Sequence, residues 1–160
     1  MITSQWVTRT VADALEEMRR RISENIEVLG LKASGRTQAS MHVEETDGGG
    51  ILWGRKYFQS LEEGSAPAPR GRWFQSVIKQ WIKDKGIAVD TSRYSDYDKA
   101  LDSAAWAVSK SIIRNGTVTY RMGGRKDVYT PVLNEEVAKL RNTIAVGVRE
   151  SLVNELNKQF

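Results

Sequence analysis

Two long amphipathic helical patterns, one near each end of the chain, constrain the fold more than any other feature. The first repeats apolar residues at spacings of three and four: Val7, Val11, Leu15, Met18, Ile22 and Ile26. The second does so after Pro131: Val137, Leu140, Ile144, Val148, Leu152 and Leu156. Each pattern predicts a helix with one apolar stripe that another surface must cover. We expect Ser4 to cap the first helix, Gly30 to end it in a left-handed conformation, and Pro131 to open the last.

A β-hairpin is predicted after the first helix. No helical period survives from Arg36 to Thr46, where Thr37, Met41 and Val43 suit an extended chain. Residues 47–50 read Asp-Gly-Gly-Gly and offer the positive-φ positions that a hairpin turn needs. Residues 51–53, Ile-Leu-Trp, would then form the returning strand.

Short elements are predicted in the middle of the chain. Tyr57–Gly64 reads as a short helix or turn ended by glycine, and Ser65–Arg72 as an extended loop, because two prolines fix φ there and lack N–H donors. From Trp73 a helical period returns and stops at Gly86. Its stripe contains Trp73, Val77 and Trp81, with Ile78 and Ile82 as further candidates, and we expect both tryptophans to be buried in the core or an interface.

A further helix and an extended arm are predicted beyond residue 95. Ser95 and Asp98 resemble a capping box, which opens a helix that ends near Gly116. Three apolar residues then alternate with polar ones: Val118, Tyr120 and Met122. With the turn offered by Gly123-Gly124, this alternation predicts an extended arm or hairpin at residues 117–130.

The order of these elements indicates the α+β class. We expect an antiparallel β-hairpin sheet packed against long N- and C-terminal helices, in a single domain over residues 1–160. A chain of 160 residues is long enough to bury a core of its own.

Composition excludes several classes of protein. The chain has no cysteine, which removes disulfides, thiolate nucleophiles and cysteine-based zinc sites and fits a reducing cytoplasm. The start of the chain lacks the pattern of a secretory signal, and no apolar run is long enough to predict a membrane span. Residues 51–130 contain 14 basic and 8 acidic side chains and so carry the basic excess of the chain, whose net charge is +4. This excess suits an acidic partner or DNA but is modest for a DNA-binding face.

No motif predicts catalysis. His42 and Glu44 share one strand face, yet two ligands are too few for a zinc site. No Gly-x-Ser-x-Gly elbow is present, and the glycines at 48–50 and 123–124 lack a phosphate-binding context. Glu62 and Glu63 point in different directions on a helix. We therefore expect no catalytic residue, no metal and no cofactor.

Basic residues interleaved with aromatic ones leave a nucleic-acid alternative open. The set consists of Arg70, Arg72, Lys79, Lys83 and Lys85 with Trp73 and Trp81. Such a set can line a groove for single-stranded nucleic acid. The alternative function is a DNA-binding accessory protein that uses the basic region 70–126, and a third is a small hydrolase or nuclease, which requires clustered acidic residues.

The segment from Tyr57 to Ile87 resembles tailed-phage neck and tail-completion proteins of the head-tail joining family. The residues that carry the resemblance are Tyr57, Glu62, Gly64, Ser65, Pro67, Trp81, Lys85 and Gly86. Residues 105–112 and 115–117 also look like a segment of that family. The Arg-rich loop at 70–72 and the region 117–130 depart from its simplest pattern.

The resemblance implies a structural virion protein that catalyses nothing. It would form a homo-oligomeric ring in the neck or tail-completion region, next to portal, adaptor or other neck and tail proteins, with packaged DNA in the lumen and no membrane contact. Assembly would take place in the cytoplasm of the bacterial host. We hypothesise that five basic residues lie at subunit contacts or face the lumen: Arg70, Arg72, Arg121, Arg125 and Lys126.

Overall fold

The computed structural model describes residues 3–158. Along these residues the chain forms α1 (Ser4–Val28), α2 (Arg36–Ala39), β1 (His42–Thr46), β2 (Gly49–Trp53), α3 (Ser60–Glu63), α4 (Trp73–Asp84), α5 (Tyr97–Asn115), α6 (Val118–Arg121) and α7 (Thr130–Asn157). The protein is thus α+β, with a two-stranded antiparallel sheet and long N- and C-terminal helices, as predicted.

Within the single domain predicted for residues 1–160, two compact units are distinguished. The hairpin unit contains residues up to Gly30, Thr37–Lys56 and those from Lys126 onward, and therefore α1, the β-hairpin and α7. The helical unit contains Leu31–Arg36 and Tyr57–Arg125, and therefore α3 to α6.

The first helix is capped by Thr3. The prediction that Ser4 caps it is wrong. The Thr3 hydroxyl accepts a hydrogen bond from the backbone N–H of Trp6 at 3.2 Å, which satisfies one of the amides that a helix start leaves open. Ser4 donates its hydroxyl to Asp47 Oδ1 at 2.6 Å instead, because the hairpin turn lies beside the start of α1. At the other end Gly30 has φ +63°, which confirms the predicted left-handed ending.

The β-hairpin forms as predicted, although its first strand begins later. Residues 36–39 form α2, so the extended chain begins at His42, which pairs with Trp53. One face of the sheet lies on α1. At Gly50 a Cβ atom would come within 2.9 Å of the Leu15 side chain. The glycine-rich segment therefore supplies both the turn and the close approach of strand to helix.

Helix α7 runs antiparallel to α1 and opens with Pro131 in its first turn, as predicted. Arg21 binds Glu136 at 2.6 Å near the start of α7, whereas Trp6, near the start of α1, lies against Gly147, where a Cβ would be 2.7 Å from the indole ring. The residues buried in this unit include Met18, Ile22, Ile26, Met41, Val128 and Val132.

The helical unit is built on the packing of α4 against α5. Its core consists of Phe74, Ile78, Ile82, Leu101 and Ala105. The cap of α5 is Asp96, whose side chain accepts from the backbone N–H of Lys99 at 2.8 Å, so the capping box predicted at Ser95 is wrong. Gly116 ends α5 with φ +75°, as predicted.

The prediction of an extended arm or hairpin at residues 117–130 is wrong. Residues 118–121 form α6, and the Thr117 hydroxyl caps it by accepting from the backbone N–H of Tyr120 at 3.3 Å. After the turn at Gly123-Gly124 the chain reaches Val128, which is fully buried. Alternation over so few residues favours a strand only weakly, and the cap together with the tertiary contacts described below favours the helix.

Candidate functional site

The Glu62–Ser65 turn binds the segment 116–125 through backbone hydrogen bonds. The N–H of Ser65 donates to the Thr117 hydroxyl at 2.9 Å, and the N–H of Thr117 donates to the Ser65 carbonyl at 2.9 Å. The N–H of Arg125 donates to the Glu62 carbonyl at 2.8 Å. Residues 62–65 of the family-like motif and residues 116–125, most of which were predicted as part of an extended arm or hairpin, therefore form one packed site within the helical unit.

Three glycines make this packing possible. A Cβ on Gly64, which has φ +73°, would come within 2.3 Å of the Tyr120 backbone nitrogen. One on Gly116 would come within 2.7 Å of the Ser65 carbonyl, and one on Gly124 within 3.1 Å of the Glu62 carbonyl. Sequence reasoning used these glycines as helix ends and turns only. They lie around one segment only in the structure, because Gly64 and Gly116 are 52 positions apart in the sequence, so no local signal showed the contact.

The structure brings together only part of the family-like motif. Glu62 is buried, Gly64 and Ser65 bind segment 116–125, and the Pro67 ring lies close to Gly116. The remaining motif residues lie elsewhere: Tyr57 is 55% exposed before α3, whereas Trp81, Lys85 and Gly86 form the end of α4. There the N–H of Lys85 donates to the Trp81 carbonyl at 3.0 Å, and Gly86 has φ +63°.

The five basic residues predicted at a subunit contact or lumen occupy different environments. Arg70 is half-buried, and its guanidinium carbon lies 4.6 Å from the centre of the Phe74 ring, in cation–π geometry. This contact gives Arg70 a role inside the helical unit. Arg125 is also half-buried. The exposed ones are Arg72 before α4, Arg121 in α6 and Lys126, which belongs to the hairpin unit.

Helix α4 exposes the stripe that was predicted to be its buried face. Trp73, Val77 and Trp81 are 60%, 49% and 39% exposed. The prediction that the two tryptophans are buried in the core is therefore wrong. The neighbouring face of α4, which contains Ile78 and Ile82, packs on α5 instead. Both faces are apolar, so periodicity alone does not choose between them. We call these three exposed residues the α4 ridge.

The second half of α7 exposes a further apolar surface. The helix buries Val132 and Glu136 near its start, but in the predicted stripe Val148, Leu152 and Leu156 are 41%, 60% and 56% exposed. These three residues are spaced four apart, and we call them the α7 ridge. The prediction that this half of the stripe is covered does not hold within the described part of the single chain.

An ion pair that joins the two long helices is largely shielded from solvent. Glu136 is 5% exposed and accepts from Lys139 at 2.7 Å and from Arg21 at 2.6 Å. The hydrogen bond from Lys139 lowers the pKa of Glu136, burial opposes that shift, and the Arg21 guanidinium adds to the lowering. The carboxylate therefore stays charged at neutral pH and helps to hold α7 against α1.

The side chains that could bind a metal ion are not clustered in the described part of the structure. Across residues 3–158 no three histidine, aspartate or glutamate side chains are arranged to hold a metal ion. His42 is exposed, and Glu44 on the same strand face accepts a hydrogen bond from the indole N–H of Trp53. None of the described helices is long and apolar enough to cross a membrane.

Comparison with protein-family models, curated proteins and solved structures found no match to this chain.

Proposed function

We propose that the protein is a structural subunit of a tailed-bacteriophage virion, which forms a ring in the neck or tail-completion region and joins head or portal to tail around the DNA channel. The observation that carries the proposal is the pair of exposed apolar ridges, one on each compact unit. Exposed tryptophan and leucine rows of this kind are typical of surfaces that another protein covers.

Two different ridges suit ring assembly in particular. A ring is built from head-to-tail contacts, in which one surface of a subunit meets a different surface of the next. A chain with two unlike apolar surfaces has what such contacts need. The resemblance of residues 57–87 to head-tail joining proteins supports the same function, and the Glu62–Ser65 turn, which binds segment 116–125, gives part of that motif a structural role.

A DNA-binding accessory protein that uses the basic region 70–126 is the second candidate. Exposure of Trp73 and Trp81 favours it, because exposed indoles can stack on bases. Arg72 and Lys83 are exposed on or beside the same helix. Against it, Arg70 lies over Phe74, and Lys79 is bound to Asp102 at 2.7 Å. These two cations are engaged within the protein.

The decisive experiment is to remove the gene from the genome that encodes the chain and to image the particles. If the protein joins head to tail, DNA-filled heads and separate tails accumulate, and supplying the protein in trans restores joined particles. Normal particles in its absence would overturn the proposal. Binding of a single-stranded oligonucleotide that weakens steeply with salt, and is lost when Trp73 and Trp81 are changed to alanine, would support the second candidate instead.

A further inference from the structure

We propose that the α7 ridge of one copy packs on the α4 ridge of the next copy. This inference rests on the ring function proposed above and names the surfaces that would close the ring. The occupant of each ridge is therefore a second copy of this chain.

The geometry of the two ridges matches. Each consists of three residues at spacings of four, Trp73-Val77-Trp81 on α4 and Val148-Leu152-Leu156 on α7. At 1.5 Å per residue each ridge spans about 12 Å. Rows of residues spaced four apart are the rows that interdigitate in the commonest class of helix–helix packing.

The sizes of the side chains also complement each other. The α4 ridge has its smallest side chain, Val77, at its centre, between two tryptophans. The α7 ridge has its most exposed residue, Leu152, at its centre. In the proposed contact Leu152 of one copy lies over Val77 of the next.

The pairing of unlike ridges also explains why both are exposed. A symmetric dimer through α7 alone would leave the tryptophans of α4 in water, and a dimer through α4 alone would leave Leu152 and Leu156 uncovered. A contact between α4 of one copy and α7 of another covers both ridges in every copy, in a two-fold pair or head to tail, and the ring function proposed above requires the head-to-tail form. The two indoles leave on the order of 200 Å² exposed, whereas a stable interface buries about 800 Å² per partner. The ridges would thus form the apolar centre of a larger contact.

Two single substitutions, V77D and L152D, test the arrangement. Both positions are about half exposed, so the folded monomer should tolerate a carboxylate, which circular dichroism checks. Each variant alone should self-associate about tenfold or more weakly than the unmodified protein in sedimentation velocity, because the charge would be buried at the contact. A mixture of the two should form a discrete heterodimer, since one intact α4 ridge can still meet one intact α7 ridge.

Matched controls place the same charge on the same helices but off the ridges. K83D on α4 and N154D on α7 change exposed residues and should associate like the unmodified protein. If V77D or L152D fails to fold, V77C and L152C replace them, since the chain has no cysteine of its own. A bifunctional thiol reagent should then link V77C to L152C and leave L152C unlinked to itself.

Several outcomes would overturn the contact while leaving the virion function open. They are an unmodified protein that is monomeric at every concentration, ridge variants that associate normally, and L152C that links mainly to L152C. Conversely, a clean V77D–L152D heterodimer together with normal particles after gene removal would retain the contact and remove the ring function.

Discussion

Ser65 and Thr117, 52 positions apart, exchange two hydrogen bonds: the Thr117 hydroxyl accepts from the Ser65 N–H, and the Ser65 carbonyl accepts from the Thr117 N–H. The same hydroxyl also accepts from the backbone N–H of Tyr120 and so caps α6. One side chain therefore holds both the start of a helix and the loop that follows α3.

Replacing Thr117 by valine should destabilise the protein by about 2 kcal/mol, because two backbone N–H groups lose their acceptor while the shape of the side chain is kept. Urea denaturation followed by tryptophan fluorescence measures the change. Thr117→Ser retains the hydroxyl and should therefore lose much less stability. Equal losses for valine and serine would mean that the hydrogen bonds do not matter here.

Replacing Gly64 by alanine should cost about 3 kcal/mol. The positive φ already disfavours a side chain by about 1 kcal/mol, and the new Cβ would also come within 2.3 Å of the Tyr120 backbone nitrogen. Gly86→Ala is the matched control, since Gly86 has φ +63° and no described atom lies within 4 Å of its Cβ position. It should cost only about 1 kcal/mol. The same denaturation assay compares them, and a similar loss in both would disprove the contact.

Replacing Glu136 by glutamine should lower the stability at neutral pH by about 2 kcal/mol, because Arg21 and Lys139 lose a charged acceptor that is mostly buried. The pKa of Glu136 is lowered in the folded protein. Its contribution is therefore complete above the ordinary glutamate pKa of about 4.3 and is lost as the pH falls through the lower folded-state value. The difference between Glu136 and its glutamine variant should shrink accordingly in urea titrations at about pH 7 and about pH 3. A difference that is constant with pH would contradict this role.

Replacing Ser109 by alanine should leave the stability unchanged or raise it by up to about 1 kcal/mol. Ser109 is 5% exposed, and its hydroxyl has no hydrogen-bond partner among residues 3–158. Removing an unsatisfied buried hydroxyl removes a desolvation cost. Ser40→Ala should instead be destabilising, since that hydroxyl donates to the Thr37 carbonyl at 2.7 Å. The thermal midpoints of the two variants should therefore move in different directions, and a marked loss for Ser109→Ala would refute the assignment.

The candidate site was only partly visible in the sequence. Glu62, Gly64 and Ser65 stand out as a motif, but nothing local shows that they bind residues 116–125, because the hydrogen bonds involved join residues more than 50 positions apart. The alternation at Val118 and Tyr120 predicted a strand. The segment forms a helical turn instead, because the Thr117 hydroxyl caps it and also binds the distant Ser65 N–H.

The sequence by itself determined the α+β class, a hairpin with its turn within residues 47–50, and the glycines at which helices end, because turns and helical periods act between residues a few positions apart. Only the tertiary structure decided which apolar face of α4 is covered and how much of α7 lies against α1. An apolar residue has the same spacing in the sequence whether a neighbouring helix covers it or it stays exposed. Ile78 and Trp81 differ in this respect only because α5 packs on one face of α4 and not on the other.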